Sequence, residues 1–116
     1  MATYTITIPN WRPALLNELM KAHWDTRNKR KKASKNIVRC YTQHLPKAEK
    51  KRLVRLCLVL GKGQRKCDVD APYKDLLDAL VAAGMLVDDS PLWCEIAPIT
   101  FMRGDMATII QLEDME

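Results

Sequence analysis

No stretch of this chain approaches the roughly 18 uninterrupted apolar residues that a membrane span requires. The opening MATYTITIPNW carries neither a basic leader nor a long apolar run, so a cytoplasmic protein without membrane contact is expected. Cys40, Cys57, Cys67 and Cys94 contain no C-x-x-C pair, which argues against a zinc ribbon or a compact disulfide framework and for reduced, partly buried thiols. His23 and His44 are too far apart to suggest ligand spacing and are read as surface residues. Internal repeats, low-complexity tracts and linkers are also missing. At 116 residues, 47% hydrophobic and 28% charged, the chain suits one folded domain spanning 1–116, since two would each bury too little surface.

Acidic residues are nearly absent from one half and basic residues from the other. Between Lys21 and Lys66 only Asp25 and Glu49 oppose a long series of Lys and Arg, whereas from Cys67 onward only Lys74 and Arg103 are basic. The net charge is +5, yet CDVDAPYKDLLDALVAAGMLVDD gathers Asp68, Asp70, Asp75, Asp78, Asp88 and Asp89 directly after Lys62, Arg65 and Lys66. A cationic surface suits a polyanion, and a concentrated carboxylate patch beside it suits a metal cation.

Periodicity gives the elements. Thr3 to Pro9 alternates Tyr4, Ile6 and Ile8 with threonines, the period of a half-buried strand closed by proline. Asn10 to Trp24 reads as a loop with a short helix. Thr26 to Leu45 reads as a helix with a narrow stripe of Ile37, Val38, Tyr41 and Leu45, ended by Pro46. Arg52 to Leu60 reads as a central strand followed by a glycine-containing loop. Pro72 to Ala83 is a helix with Leu76, Leu77, Leu80 and Val81 on its apolar face and Gly84 as its stop. Trp93 to Met102 and Met106 to Leu112 read as an antiparallel hairpin turning at Arg103-Gly104-Asp105. The expected fold is α/β (α+β), a single small domain with a mixed sheet backed by helices in the order β-α-β-α-β-β.

In an extended segment Asp68 and Asp70 project to one side, about 7 Å apart, so both carboxylates can approach one cation. Pro72 at the first helical position makes Ala71 the N-cap and sets Asp70 at a helix N-terminus, where negative charge is favoured. Lys74 stands in the first turns, and Asp88 and Asp89 follow the short apolar exit from the helix. Carboxylates and a lysine joined by one helix suit a hard cation with room for water and phosphate. The plain alternatives are capping by the D-x-D pair and turn chemistry at Asp88-Asp89, and Asp75 and Asp78 are assigned to a solvated helix face.

The run D68-V-D70-A-P-Y-K74-D-L-L-D78-A-L80-V-A-A-G84-M-L-V-D88-D89 resembles the signature of the RusA-type Holliday junction resolvases. There D-x-D-N-x-x-K leads into a D-A-L helix, a glycine and a D-D pair. Outside this run the opening strand, the element order and Pro13 to Asn17, set against the family's P-x-S-x-N loop, are similar more loosely. The resemblance implies a crossover junction endodeoxyribonuclease, a symmetric homodimer that nicks four-way DNA with Mg²⁺ or Mn²⁺ in recombination, repair or phage DNA processing. It implies Asp68, Asp70 and Asp89 as metal ligands with Asp88 as a supporting neighbour, and Lys74 as the catalytic lysine. Lys29, Arg30, Lys31, Lys32, Lys35, Lys62, Arg65 and Lys66 are then candidates to hold DNA phosphates, with no small-molecule substrate. Ala71 replaces the family's Asn and Leu15 its Ser. Two other readings use the same residues: a RusA-like DNA-binding or regulatory protein without turnover, and a nuclease for other branched DNA.

Overall fold

Alternating Thr and Ile residues form β1 (Thr3–Pro9), with Ile6 and Ile8 buried and the threonines exposed. A computed structural model describes residues 2–67 and 71–115. Among them the order continues through α1 (Leu16–Lys21), α2 (Trp24–Thr42), β2 (Arg52–Leu60), α3 (Tyr73–Ala82), β3 (Cys94–Ile96), β4 (Thr100–Arg103) and β5 (Ala107–Asp114). The result is one α+β domain with a five-stranded mixed sheet and three helices.

The strands lie in the order β1-β5-β2, and both β3 and β4 pair with β2 on its other side. β5 is antiparallel to β1 and β2, while β3 and β4 are parallel to β2. The expected terminal hairpin is therefore not formed: β4 and β5 stand on opposite sides of β2. Gly104 carries the chain over the end of β2. Its N–H donates to the Leu60 carbonyl at 3.1 Å, and a Cβ there would come 3.3 Å from Val59 Cγ1. The physical reason lies in the two segments. Ile110 and Leu112 of β5 are fully buried and occupy the sheet centre, whereas β4 is short and largely exposed at an edge.

The expected strand from Trp93 to Met102 is likewise divided. Val54 pairs with Ile96 but Cys57 with Thr100, so Arg55 and Leu56 face one residue more, Ala97, Pro98 and Ile99. Pro98 has no N–H to give the ladder, which confines it to such an edge irregularity.

The helices cover one face of the sheet. Val54, Leu56, Leu58 and Leu60 meet Leu76, Leu77, Leu80, Met85 and Leu86 there, with Val38 from α2 and Ile8, Ile110 and Leu112 from the neighbouring strands. α2 begins two residues earlier than expected because His23 Nδ1 accepts the Asp25 N–H at 3.3 Å as an N-cap. It ends at Thr42, whose hydroxyl turns back to the Val38 carbonyl at 2.8 Å. Pro72, rather than Ala71, is the N-cap of α3, and its carbonyl accepts the Leu76 N–H at 3.2 Å. At the far end Gly84 adopts φ +78°, and Lys47 Nζ donates to the Ala83 carbonyl at 2.8 Å.

One charged side chain ties the sheet to the exit from α3. Arg52 is only 2% exposed. It donates to Asp114 Oδ1 at 2.7 Å and to the Met85 carbonyl at 2.9 Å, with its guanidinium 5.0 Å from the Tyr4 ring centroid. The four cysteines form no disulfide, and both histidines are exposed. No helix among the described residues is long and apolar enough to cross a membrane.

Candidate active site

The Asp68 and Asp70 assignments lie outside the described residues, so the site is built from what flanks them. On one side Lys66 places its ammonium 5.7 Å from the centroid of Phe101 in β4. On the other, Tyr73, the first residue of α3, donates its hydroxyl to the Ala97 carbonyl at 2.6 Å. Both contacts fall on the sheet edge made by β3 and β4. Ala71 is held too, its carbonyl accepting the Leu16 N–H of α1 at 2.8 Å.

Asp89 follows the opposite end of α3, and its charge bears on Cys94 at the start of β3, opposite Arg52. After α3 the chain turns through Ser90, whose carbonyl accepts the N–H groups of Trp93 and Cys94 at 3.0 and 2.9 Å. Burial pushes the Cys94 thiol above its ordinary range, and the nearby Asp89 charge pushes it further, opposed by Lys51. Burial raises the Tyr73 phenol to about 12, with a smaller contribution from Cys94. Tyr73 and Asp89 thus both lie within electrostatic reach of Cys94, although Asp89 is separated from Tyr73 by the whole of α3.

Asp88 and Asp89 are exposed and make no ion pair with another described residue. Lys74 is exposed in the first turn of α3 and lies 3.6 Å from Asp78, one turn further on. No group of three or more His, Cys, Asp or Glu residues suited to a metal occurs among the described residues. Carboxylate oxygens such as those of Asp88 and Asp89 are nevertheless the donor type that Mg²⁺ and Mn²⁺ select.

Asp75 corrects the sequence reading. Expected on a solvated face, it is 1% exposed and its Oδ2 accepts two bonds, from Ser34 Oγ at 2.6 Å and from the Ala14 N–H at 2.9 Å. α3 is buried on both sides of its leucine stripe, so a position beside that stripe meets α2 instead of water. Asp78 is half-buried and pairs with Lys74, as a residue bordering solvent can.

The basic residues do not form one patch. Helical periodicity around the buried stripe Ser34, Val38 and Thr42 turns Lys29 and Lys32 to the far side of α2 and leaves Lys31 in line with the stripe and Lys35 beside it, both half-buried. The Lys31 charge bears on Asp75. Arg30 turns toward α1, where its guanidinium is 3.8 Å from Glu18 Oε1. Lys62, Arg65 and Lys66 are exposed on the loop after β2.

Arg12, absent from the sequence-derived site, joins this group. It makes a two-pronged bond to Glu18, 3.0 Å from Oε1 and 3.1 Å from Oε2. Glu18 Oε1 also accepts the Leu15 N–H at 3.0 Å. Leu15, as N-cap of α1, has no side-chain acceptor to complete the reciprocal half of a capping box. The Arg12 bonds hold the Glu18 carboxyl below its ordinary value, against the opposing effect of burial. No periodic pattern marks Arg12, because it sits on irregular backbone; the only sequence signal is a cation next to Pro13. No family model matches the chain, and no curated protein is significantly similar to it.

Proposed function

We propose that this chain is a metal-dependent, structure-specific endodeoxyribonuclease that hydrolyses phosphodiesters at four-way DNA junctions, acting in the cytoplasm as a homodimer. What supports this reading is the order of groups around α3: Arg65 and Lys66 are exposed on the loop leading in, Lys74 stands in the first turn, and Asp89 follows the exit, where its charge bears on Cys94 of β3. Carboxylates, a lysine and phosphate-binding cations are what this hydrolysis needs at one place.

Asp68, Asp70 and Asp89 would hold Mg²⁺ or Mn²⁺, with Asp88 beside them. When bound, such an ion supplies Lewis acidity toward a phosphate oxygen and lowers the pKa of water. Lys74 offsets the charge that develops on the phosphate, and to do so it exchanges its exposed pairing with Asp78 for the substrate. Arg65 and Lys66 fix the backbone next to the scissile bond. A twofold dimer would offer one site to each of two equivalent junction strands.

The test is nicking of a synthetic four-way junction with Mg²⁺ or Mn²⁺ by the wild type, Asp70→Asn and Asp89→Asn. The expected outcome is cleavage by the wild type alone, with all three proteins binding the junction. Binding without cutting by the wild type across both metal titrations would overturn the proposal, and equal cleavage of linear duplex would overturn its junction specificity.

A further inference from the structure

Three clefts adjoin one another along the side of the molecule between α1, α2 and the loop after β2. The first, about 420 Å³, is lined by Trp11, Arg12, Arg30 and Gln64 among others. The second, about 120 Å³, shares Arg12 and Gln64 with the first and adds Leu15, Arg65 and Cys67. The third, about 580 Å³, shares Leu15, Arg65 and Cys67 with the second and continues past Lys66 to Ala71. Shared walls make them one groove, which runs from Trp11 to the residue directly after Asp70.

The charged residues of the lining are all cationic. Arg12, Arg30, Arg65 and Lys66 contribute charge, and among the described residues no carboxylate lines any of the three clefts. Glu18, partly exposed, lies 3.0 Å from Arg12 and 3.8 Å from Arg30 and fixes both guanidiniums. An arginine held this way is pre-organised and loses little freedom when it meets a phosphate. The middle cleft, about 120 Å³, is the smallest of the three and has the buried Leu58 and Leu60 among its lining. Trp11 at the far end offers an aromatic surface; its own carbonyl is anchored by the Thr108 hydroxyl at 2.6 Å.

We infer that this groove binds single-stranded DNA, with phosphates on Arg12, Arg30, Arg65 and Lys66 and a base against Trp11. The inference rests on the nuclease reading for its place beside a catalytic site and deepens it. The substrate is then a branch from which one strand peels away and runs along the groove. A positive groove with one aromatic platform is the usual means of holding a single strand without reading its sequence.

The experiment is fluorescence anisotropy with labelled oligothymidine of about 12 nucleotides and with blunt duplex of equal length, in the full chain without added metal. The wild type is expected to bind the single strand about tenfold more tightly than the duplex at equal salt. Arg65→Gln, which breaks no bond seen among the described residues, should weaken single-strand binding several-fold and lower the salt slope by about 0.7. Arg12→Gln should do the same, and Trp11→Phe should remove most of the tryptophan quenching that oligothymidine causes in the wild type. Equal loss of duplex and single-strand binding in Arg65→Gln, or unchanged quenching in Trp11→Phe, would overturn the groove. Loss of nicking in Asp89→Asn is separable: a chain that never cuts but shows these binding effects keeps the groove and loses the nuclease, and the reverse pattern keeps only the nuclease.

Discussion

Ser34 of α2 donates its hydroxyl to Asp75 of α3 at 2.6 Å, across the contact between the two helices. The same carboxylate oxygen takes the Ala14 N–H, so one buried group joins the N-terminal loop, the basic helix and the helix that carries Lys74.

Asp75 should make stability depend on pH in the direction opposite to most carboxylates. Burial holds its carboxyl above the ordinary 3.8, against the Ser34 and Ala14 bonds that pull it down. The folded chain therefore keeps a proton that the unfolded chain releases. Between 3.8 and the raised value, stability falls as pH rises, and above that window the contribution is level. Asp75→Asn should abolish this component of urea midpoints measured across the acid range. Asp75→Ala, which strands two buried donors, should cost about 2 kcal/mol or more near neutral pH.

Glu18 supplies the contrary sign. Its carboxyl is held below the ordinary 4.5 chiefly by Arg12, so its contribution is complete above 4.5 and is lost as pH falls through the depressed value. Glu18→Gln should lower the urea midpoint near neutrality and match the wild type in strong acid. Added salt should shrink the neutral difference, because the pair is partly exposed.

Arg52 should be among the costliest positions to truncate. Arg52→Ala removes the partner of Asp114 and the donor to Met85 together and leaves a gap beneath Tyr4. The expected loss is about 3 kcal/mol, read from equilibrium unfolding. A loss near zero would mean that water replaces both bonds.

Lys74 separates chemistry from folding. Its pairing with Asp78 is exposed, so Lys74→Ala should change stability by less than about 0.5 kcal/mol. Under the proposed function the same variant should slow single-turnover nicking of a four-way junction by about 100-fold while still binding it. Unchanged nicking would remove Lys74 from the catalytic group.

How much of this was legible beforehand differs by element. The bounds of β1 and β2 follow from alternation and from a Leu/Val run closed by glycine, because burial of one or both faces writes itself into neighbouring residues. The helix after Asp70 was legible to within a residue for the same reason. The path from β4 to β5 was not. Arg103-Gly104-Asp105 serves equally for a hairpin and for a passage over the end of β2, and only competition for the sheet centre, won by Ile110 and Leu112, decides between them.

By itself the sequence determined the local chemistry of this protein: a basic half, an aspartate-rich half, the spacing that sets Lys74 after a D-x-D pair, and the periodicities of its strands and helices. Tertiary structure decided which charges meet. It buried Asp75 against Ser34, turned Lys29 and Lys32 away from Arg30, locked Arg12 onto Glu18, and brought Asp89 and Tyr73 to Cys94 from opposite ends of α3. Those pairings depend on how α2 and α3 rotate as they pack on the sheet, and that rotation is fixed by contacts between residues far apart in the chain.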